Sequence, residues 1–255
     1  MKPGGVALAL VRRQSPALLA ASAAGWAALL AFDHAMLLPA LCGASAGGAD
    51  RLAATLALNP PGLLMLVWIA MLLAMMPPLL TQPIAHLRQR SLARRRWRAL
   101  AVFAAGYALV WCCAGAVLIA SALALSLLQT VSGVPAWGFA LMLALLWQFS
   151  PAKQLCLNRC HRLSRLSAFG LRAELDCLRY GAVHGVWCVG SCWALMLLPL
   201  TAGAAHLAVM AAASPALLLE RTCAPRPAHW ALARPRWLAR PRLFPRTTLR
   251  ARTAP

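Results

Sequence analysis

The sequence predicts an all-α polytopic membrane protein: a bundle of about six transmembrane helices with N- and C-termini on the cytoplasmic side. Three observations carry this. Hydrophobic residues make up 62% of the 255 while charged residues are only 12%, too few to solvate a globular surface. The apolar residues gather into runs near the length that crosses a bilayer. The 25 Lys and Arg, set against 5 Asp and Glu, lie between alternate runs, where cytoplasmic loops concentrate basic residues. This placement argues for anionic lipid at the basic loops and tail, and against nucleic acid, as the partner of the positive charge.

The first expected span is 16 to 32, PALLAASAAGWAALLAF, preceded by Lys2, Arg12 and Arg13. Its core is longer than the apolar stretch of a cleaved signal peptide, so an uncleaved anchor is expected. The second is 62 to 84, in which Pro77 and Pro78 remove two backbone donors and predict a kink. The third covers 99 to 122, the fourth 135 to 150, the fifth 181 to 200 and the sixth 204 to 219, with a tight turn near Gly203. With the N-terminus inside, every basic residue except Arg51 falls on the cytoplasmic side. Such a charge bias suits a bacterial cytoplasmic (inner) membrane.

Two inner segments have their own character. Residues 161 to 179, HRLSRLSAFGLRAELDCLR, space apolar residues three to four apart with basic ones between, as in a helix lying in the headgroup plane. An ordinary solvated loop is the alternative. From 221 to 255 Pro and Arg alternate without acidic partners, which predicts a disordered cytoplasmic tail beyond a membrane domain of 1 to 220.

Of the nine cysteines only Cys42 is expected on the oxidising side, so metal binding or packing is a better reading than a disulfide framework. His184, Cys188, Cys192 and Met196 recur every fourth residue in HGVWCVGSCWALM and form one slanting stripe on a helix. Side chains at that spacing are close enough for two to grip one ion. Thiolate, thioether and imidazole favour Cu(I), with zinc second. Met71, Met75 and Met76, at a matching depth in the second span, offer the other half of a site. The plain alternative is packing: cysteine and methionine suit apolar interiors, and Gly181 with Gly185 suffices for a close helix contact.

KQLCLNRCH holds a third cluster, Cys156, Cys160 and His161, just past the inner end of the fourth span. Lys153, Arg159 and Arg162 are expected to lower its thiol pKa values and favour thiolate. There is no phosphate loop, nucleophile elbow, HExxH or dinucleotide fingerprint, so an enzyme is not expected. A membrane thiol-disulfide oxidoreductase using the same cysteines, and a non-catalytic scaffold or assembly factor, remain alternatives to metal handling.

WIAMLLAMMPP (68 to 78), YALVW (107 to 111), QFSPAKQLCLNRC (148 to 160), GAVHGVWCVGSCWALMLLPLTAG (181 to 203) and LLLER (217 to 221) together resemble the bacterial family of predicted metal-binding integral membrane proteins, a domain of unknown function. The resemblance implies a multi-pass inner-membrane protein that binds a metal. It places Trp68, Met71, Met75, Met76 and Pro77 in one motif, Lys153, Cys156 and Cys160 in a second, and His184, Gly185, Cys188, Gly190, Cys192, Trp193 and Met196 in a third. Ser191 stands where the family has the first of two adjacent cysteines, and His206 where it has an amide.

Overall fold

The computed structural model describes residues 15–34, 60–167 and 169–230. All regular structure among them is helical, as expected: α1 (Pro16–His34), α2 (Pro61–Met75), α3 (Thr81–Arg90), α4 (Arg96–Ser132), α5 (Ala136–Phe149), α6 (Pro151–Cys160), α7 (Gly170–Thr201) and α8 (His206–Thr222), with three short 3-10 turns between them.

Proline sets several of the boundaries. Pro61 opens α2, where a missing N–H costs nothing, and Pro77-Pro78 close it by removing donors the next turn needs. The chain passes through a 3-10 turn, Pro77–Leu80, and restarts as α3 with a bend of 53°. This is the kink expected from the two prolines. α4 ends on Gly133, whose φ of 70° is the left-handed conformation that glycine adopts without strain. Gln129 Oε1 then accepts from Ala136 N at 3.0 Å and starts α5. Ser150 caps α6 by accepting from Lys153 N at 3.1 Å, with Pro151 in the first turn.

Four stretches are long and apolar enough to cross a membrane among the described residues: Pro16–Asp33, Ala93–Ser132, Gly170–Thr201 and Gly203–Thr222. The bent pair α2 and α3 makes a fifth if counted as one. The expected fourth span is only the 14-residue α5, about 21 Å long and short of a bilayer core of about 30 Å, because Pro151 ends it. Their apolar faces extend outwards as well as inwards: Leu109, Val117, Met142, Leu146 and Val186 are all exposed. The molecule is thus a multi-helix bundle of the kind that crosses a membrane repeatedly.

The segment 161 to 179 is not a separate interfacial helix. Residues 162–167 are irregular, and from Gly170 the chain is already in α7, which runs unbroken to Thr201. The physical reason is packing: Ala173, Cys177 and Tyr180 are buried, so this stretch extends the spanning rod instead of lying beside it. The C-terminal tail beyond residue 230, like Cys42, Asp50 and Arg51, lies outside the described residues.

α4 and α7 make the most extensive contact in the bundle. A Cβ at Gly181 would overlap the Phe103 carbonyl, and one at Gly106 the Leu178 carbonyl, so glycine on each side lets the two backbones touch. The large core lies above this crossing and draws on α1, α2, α4, α5, α7 and α8; a smaller one gathers Leu87, Phe103, Cys177 and Tyr180.

Candidate metal-handling site

The stripe predicted on α7 faces inwards along its whole length: His184, Cys188, Cys192 and Met196 are 4%, 0%, 1% and 0% exposed. The close α4–α7 crossing brings Tyr107 to it, with its hydroxyl oxygen 3.3 Å from Cys188 Sγ. The Cys192 thiol donates to the Cys188 carbonyl at 2.9 Å and also faces the Cys188 sulfur. Ser191 Oγ donates to that same carbonyl at 2.8 Å, so the family's missing cysteine is replaced by a hydroxyl spent on the helix backbone. His184 lies among Phe103, Tyr107 and Tyr180, with ring centroids 6.1 to 6.2 Å away. Its Nε2 is buried with no hydrogen-bond partner among the described residues.

Met71 and Met75 on α2, and Met76 at its break, are buried in the same core as Cys188, Cys192 and Met196. Trp68 Nε1 donates to the Trp111 carbonyl at 3.0 Å and ties α2 to α4 beside them. The kinked helix and α7 therefore do contribute thioethers and thiols to one dry interior. Met210 of α8 belongs to it as well. His206, one turn earlier, instead directs Nδ1 to the Pro199 carbonyl at 2.9 Å.

The inner cluster differs from its sequence-based expectation. Cys156 packs against α7: a Cβ at Gly190 would stand 2.7 Å from its sulfur, which gives that glycine a purpose. Burial pushes the Cys156 thiol up, against the pull of Arg159, and pushes Cys160 up to about 11. The expected lowering of both thiol pKa values is therefore overturned, because loss of water outweighs the nearby positive charge. Lys153 is committed elsewhere. It is buried and pairs with Glu220 at 2.7 Å, while Gln148 bonds to both. Arg159 stacks over Trp187 at 4.4 Å, and Arg162 is exposed.

His161 ties α6 to α8. Its Nδ1 lies 2.8 Å from the Leu157 carbonyl oxygen and its Nε2 3.0 Å from that of Arg221. A neutral ring donates to one of these, and burial favours the neutral form. In this arrangement neither nitrogen is directed at a sulfur.

The sequence reading missed Arg221. It lies in the last turn of α8 and is 8% exposed. Its side chain hydrogen-bonds Cys160, which ties α8 to α6 beside the His161 contact with the Arg221 carbonyl. The signal was present in LLLER: an arginine closing an apolar helix, next to a glutamate that pairs with Lys153. Tyr107 was quoted in YALVW without a role.

Among the described residues no three His, Cys, Asp or Glu side chains gather closely enough to hold a metal ion. The eight described cysteines are free thiols. What the core offers is two apposed thiols, a surround of thioethers and a nearby cation, a donor set suited to a soft monovalent ion that accepts few ligands. Cys112 is half-buried and Cys113 exposed, which leaves them outside this set.

No curated protein and no solved structure matches this chain. A family model described as PpoB2, copper chaperone, matches residues 65–235, the stretch from α2 through α8 that holds every motif above. It agrees with the resemblance to metal-binding membrane proteins at the level of metal handling. By that match the chain belongs to the PpoB2 copper-chaperone family.

Proposed function

We propose that the chain binds Cu(I) as cargo at Cys188 and Cys192 and passes it on, with Met71, Met75, Met76 and Met196 as surrounding thioethers. The observation that supports this best is the shared burial of these six sulfurs in one core. Cu(I) is satisfied by two or three soft ligands, whereas zinc asks for four in a tetrahedron. The absence of a three-residue His, Cys, Asp or Glu cluster among the described residues therefore weighs less against Cu(I) than against zinc. Cys156 and Cys160 serve as the inner-face relay; Cys156 packs on α7 at Gly190, on the face turned away from Cys188 and Cys192.

The six-span layout with both ends inside belongs to the same reading. α2 with α3 makes the second crossing, and α5, short as it is, makes the fourth with α6 continuing beyond its proline break. The basic ends then face anionic lipid of a bacterial cytoplasmic membrane. The chain acts as a carrier and not as an enzyme.

Protein purified in detergent from copper-supplied cells should retain close to one copper per chain. Cys188→Ser together with Cys192→Ser should abolish that retention; undiminished copper in the double variant contradicts the site.

A further inference from the structure

The two ends of α6 are held by different means. In its first turn, buried Lys153 pairs with Glu220 of α8 at 2.7 Å. Its last turn is held by the chain that follows α8. That helix ends at Thr222, and the backbone becomes extended at Cys223, with φ −71° and ψ 147°. Three residues on, Asn158 Nδ2 donates to the Arg226 carbonyl at 2.7 Å, and the Arg226 N–H donates to Asn158 Oδ1 at 3.2 Å. One side-chain amide thus satisfies both backbone groups of one residue, as a neighbouring strand would. Gln154, a turn earlier on α6, donates to the same Oδ1 at 2.8 Å and so fixes which way the amide faces. His161 Nε2 adds a contact of 3.0 Å to the carbonyl of Arg221, whose side chain bonds Cys160.

The hold of this strap on α6 is specific but slight. Pro225 and Pro227 have no N–H, so Arg226 supplies the one backbone donor in 225–227. Pro225 and residues 227–230 are exposed, so the attachment rests on hydrogen bonds and not on buried apolar surface. Cys160, in the turn that the strap holds, is only 5% exposed. A thiol that hands on a metal has to be reached by the sulfur of an acceptor, and a closed Cys160 is not. We propose that residues 223–226 are a latch on the last turn of α6: while Asn158 grips the Arg226 peptide the turn stays wound and Cys160 stays closed, and release of the grip opens it. The last carbonyls of a helix have no intrahelical partners, so that turn opens first. The ion pair of Lys153 with Glu220 keeps the other end in place, which confines the opening to the turn that carries Cys160. The inference rests on the copper reading only for what passes through the gate; the closure itself needs no metal.

The latch is tested on metal-free, full-length protein in detergent. It is exposed to N-ethylmaleimide, and the rate of modification at each cysteine is followed by peptide mass mapping. Asn158→Ala removes both bonds to Arg226, so the Cys160 rate should rise about ten- to thirtyfold, the local opening expected for two lost hydrogen bonds. Arg226→Pro removes one of them from the strap side without altering α6, and should give a rise of about fivefold. Arg226→Ala keeps the peptide and loses only the guanidinium, so its rate should stay within about twofold of the wild type. Cys192, in the core, should react as slowly in every variant as in the wild type.

An unchanged Cys160 rate in either Asn158→Ala or Arg226→Pro overturns the proposal. A rise in Arg226→Ala as large as that in Arg226→Pro overturns it too, because the hold would then lie in the side chain. So does a rise at Cys192 that matches the one at Cys160, since the whole bundle would then be looser. Should Asn158→Ala fail to fold, Arg226→Pro against Arg226→Ala decides. None of these results touches the copper reading, which stands or falls on copper retention by Cys188 and Cys192.

Discussion

At Cys160, positive charge and burial oppose each other, and burial prevails. Arg221 pulls the thiol towards ionisation, but exclusion of water holds it up at about 11. An acid raised in the folded state ionises first in the unfolded chain. Cys160 thus costs no stability below pH 9, and stability is lost as pH rises from about 9 towards 11. At pH 8 the thiolate fraction is about a hundredfold lower than for an unperturbed cysteine. Alkylation of Cys160 by iodoacetamide at pH 8 should be slower than that of an exposed cysteine by about that factor. Equal rates would show that the thiol is not held neutral. A neutral thiol also means that metal capture there releases a proton, so it strengthens as pH rises. Residue identity and spacing made the sulfur donors legible in the sequence. The partners of the charged residues were not, because Lys153, Glu220 and Arg221 lie on α6 and α8, and only the packing of those helices decides which cation meets the carboxylate.

The elements depend on how closely α4 and α7 approach. Gly181 rests on the Phe103 carbonyl, which is backbone and cannot move aside, whereas the obstacle at Gly190 is the Cys156 sulfur, the end of a side chain that can turn. Gly181→Ala should therefore destabilise the bundle by about 1–3 kcal/mol or more, in the range of overpacked cores, and Gly190→Ala by less. Unfolding in detergent, followed by circular dichroism, checks the order; a Gly190→Ala variant that is the weaker of the two contradicts it. The small-residue spacing on α7 pointed to this contact in the sequence, and the tandem prolines pointed to the bend after α2. Helix ends were less legible. Nothing between Gly170 and Ala194 breaks a helix, so a change from amphipathic to apolar composition near residue 180 looks like a boundary in the sequence but is continuous in the rod. The converse holds at Pro151, where one proline splits an apolar run into α5 and α6.

Among the described residues, sulfur from the kinked α2, the continuous α7 and α8 meets in one interior while exposed apolar faces look outwards. All-α class and repeated membrane-type helices were legible from composition, because hydropathy and charge segregation are properties of the chain alone. The convergence was legible only as a matching depth along separate spans. Its lateral part depends on Gly106, Gly181 and Trp68 bringing α4, α7 and α2 together. The central claim is that Cu(I) sits on cysteine sulfur inside this core. X-ray absorption at the copper edge of the purified, copper-loaded protein tests it most directly. A first shell of two to three sulfur scatterers with Cu(I) edge features, lost in Cys188→Ser/Cys192→Ser, is expected. A nitrogen- or oxygen-dominated shell, or a sulfur shell that survives the double substitution, would contradict it.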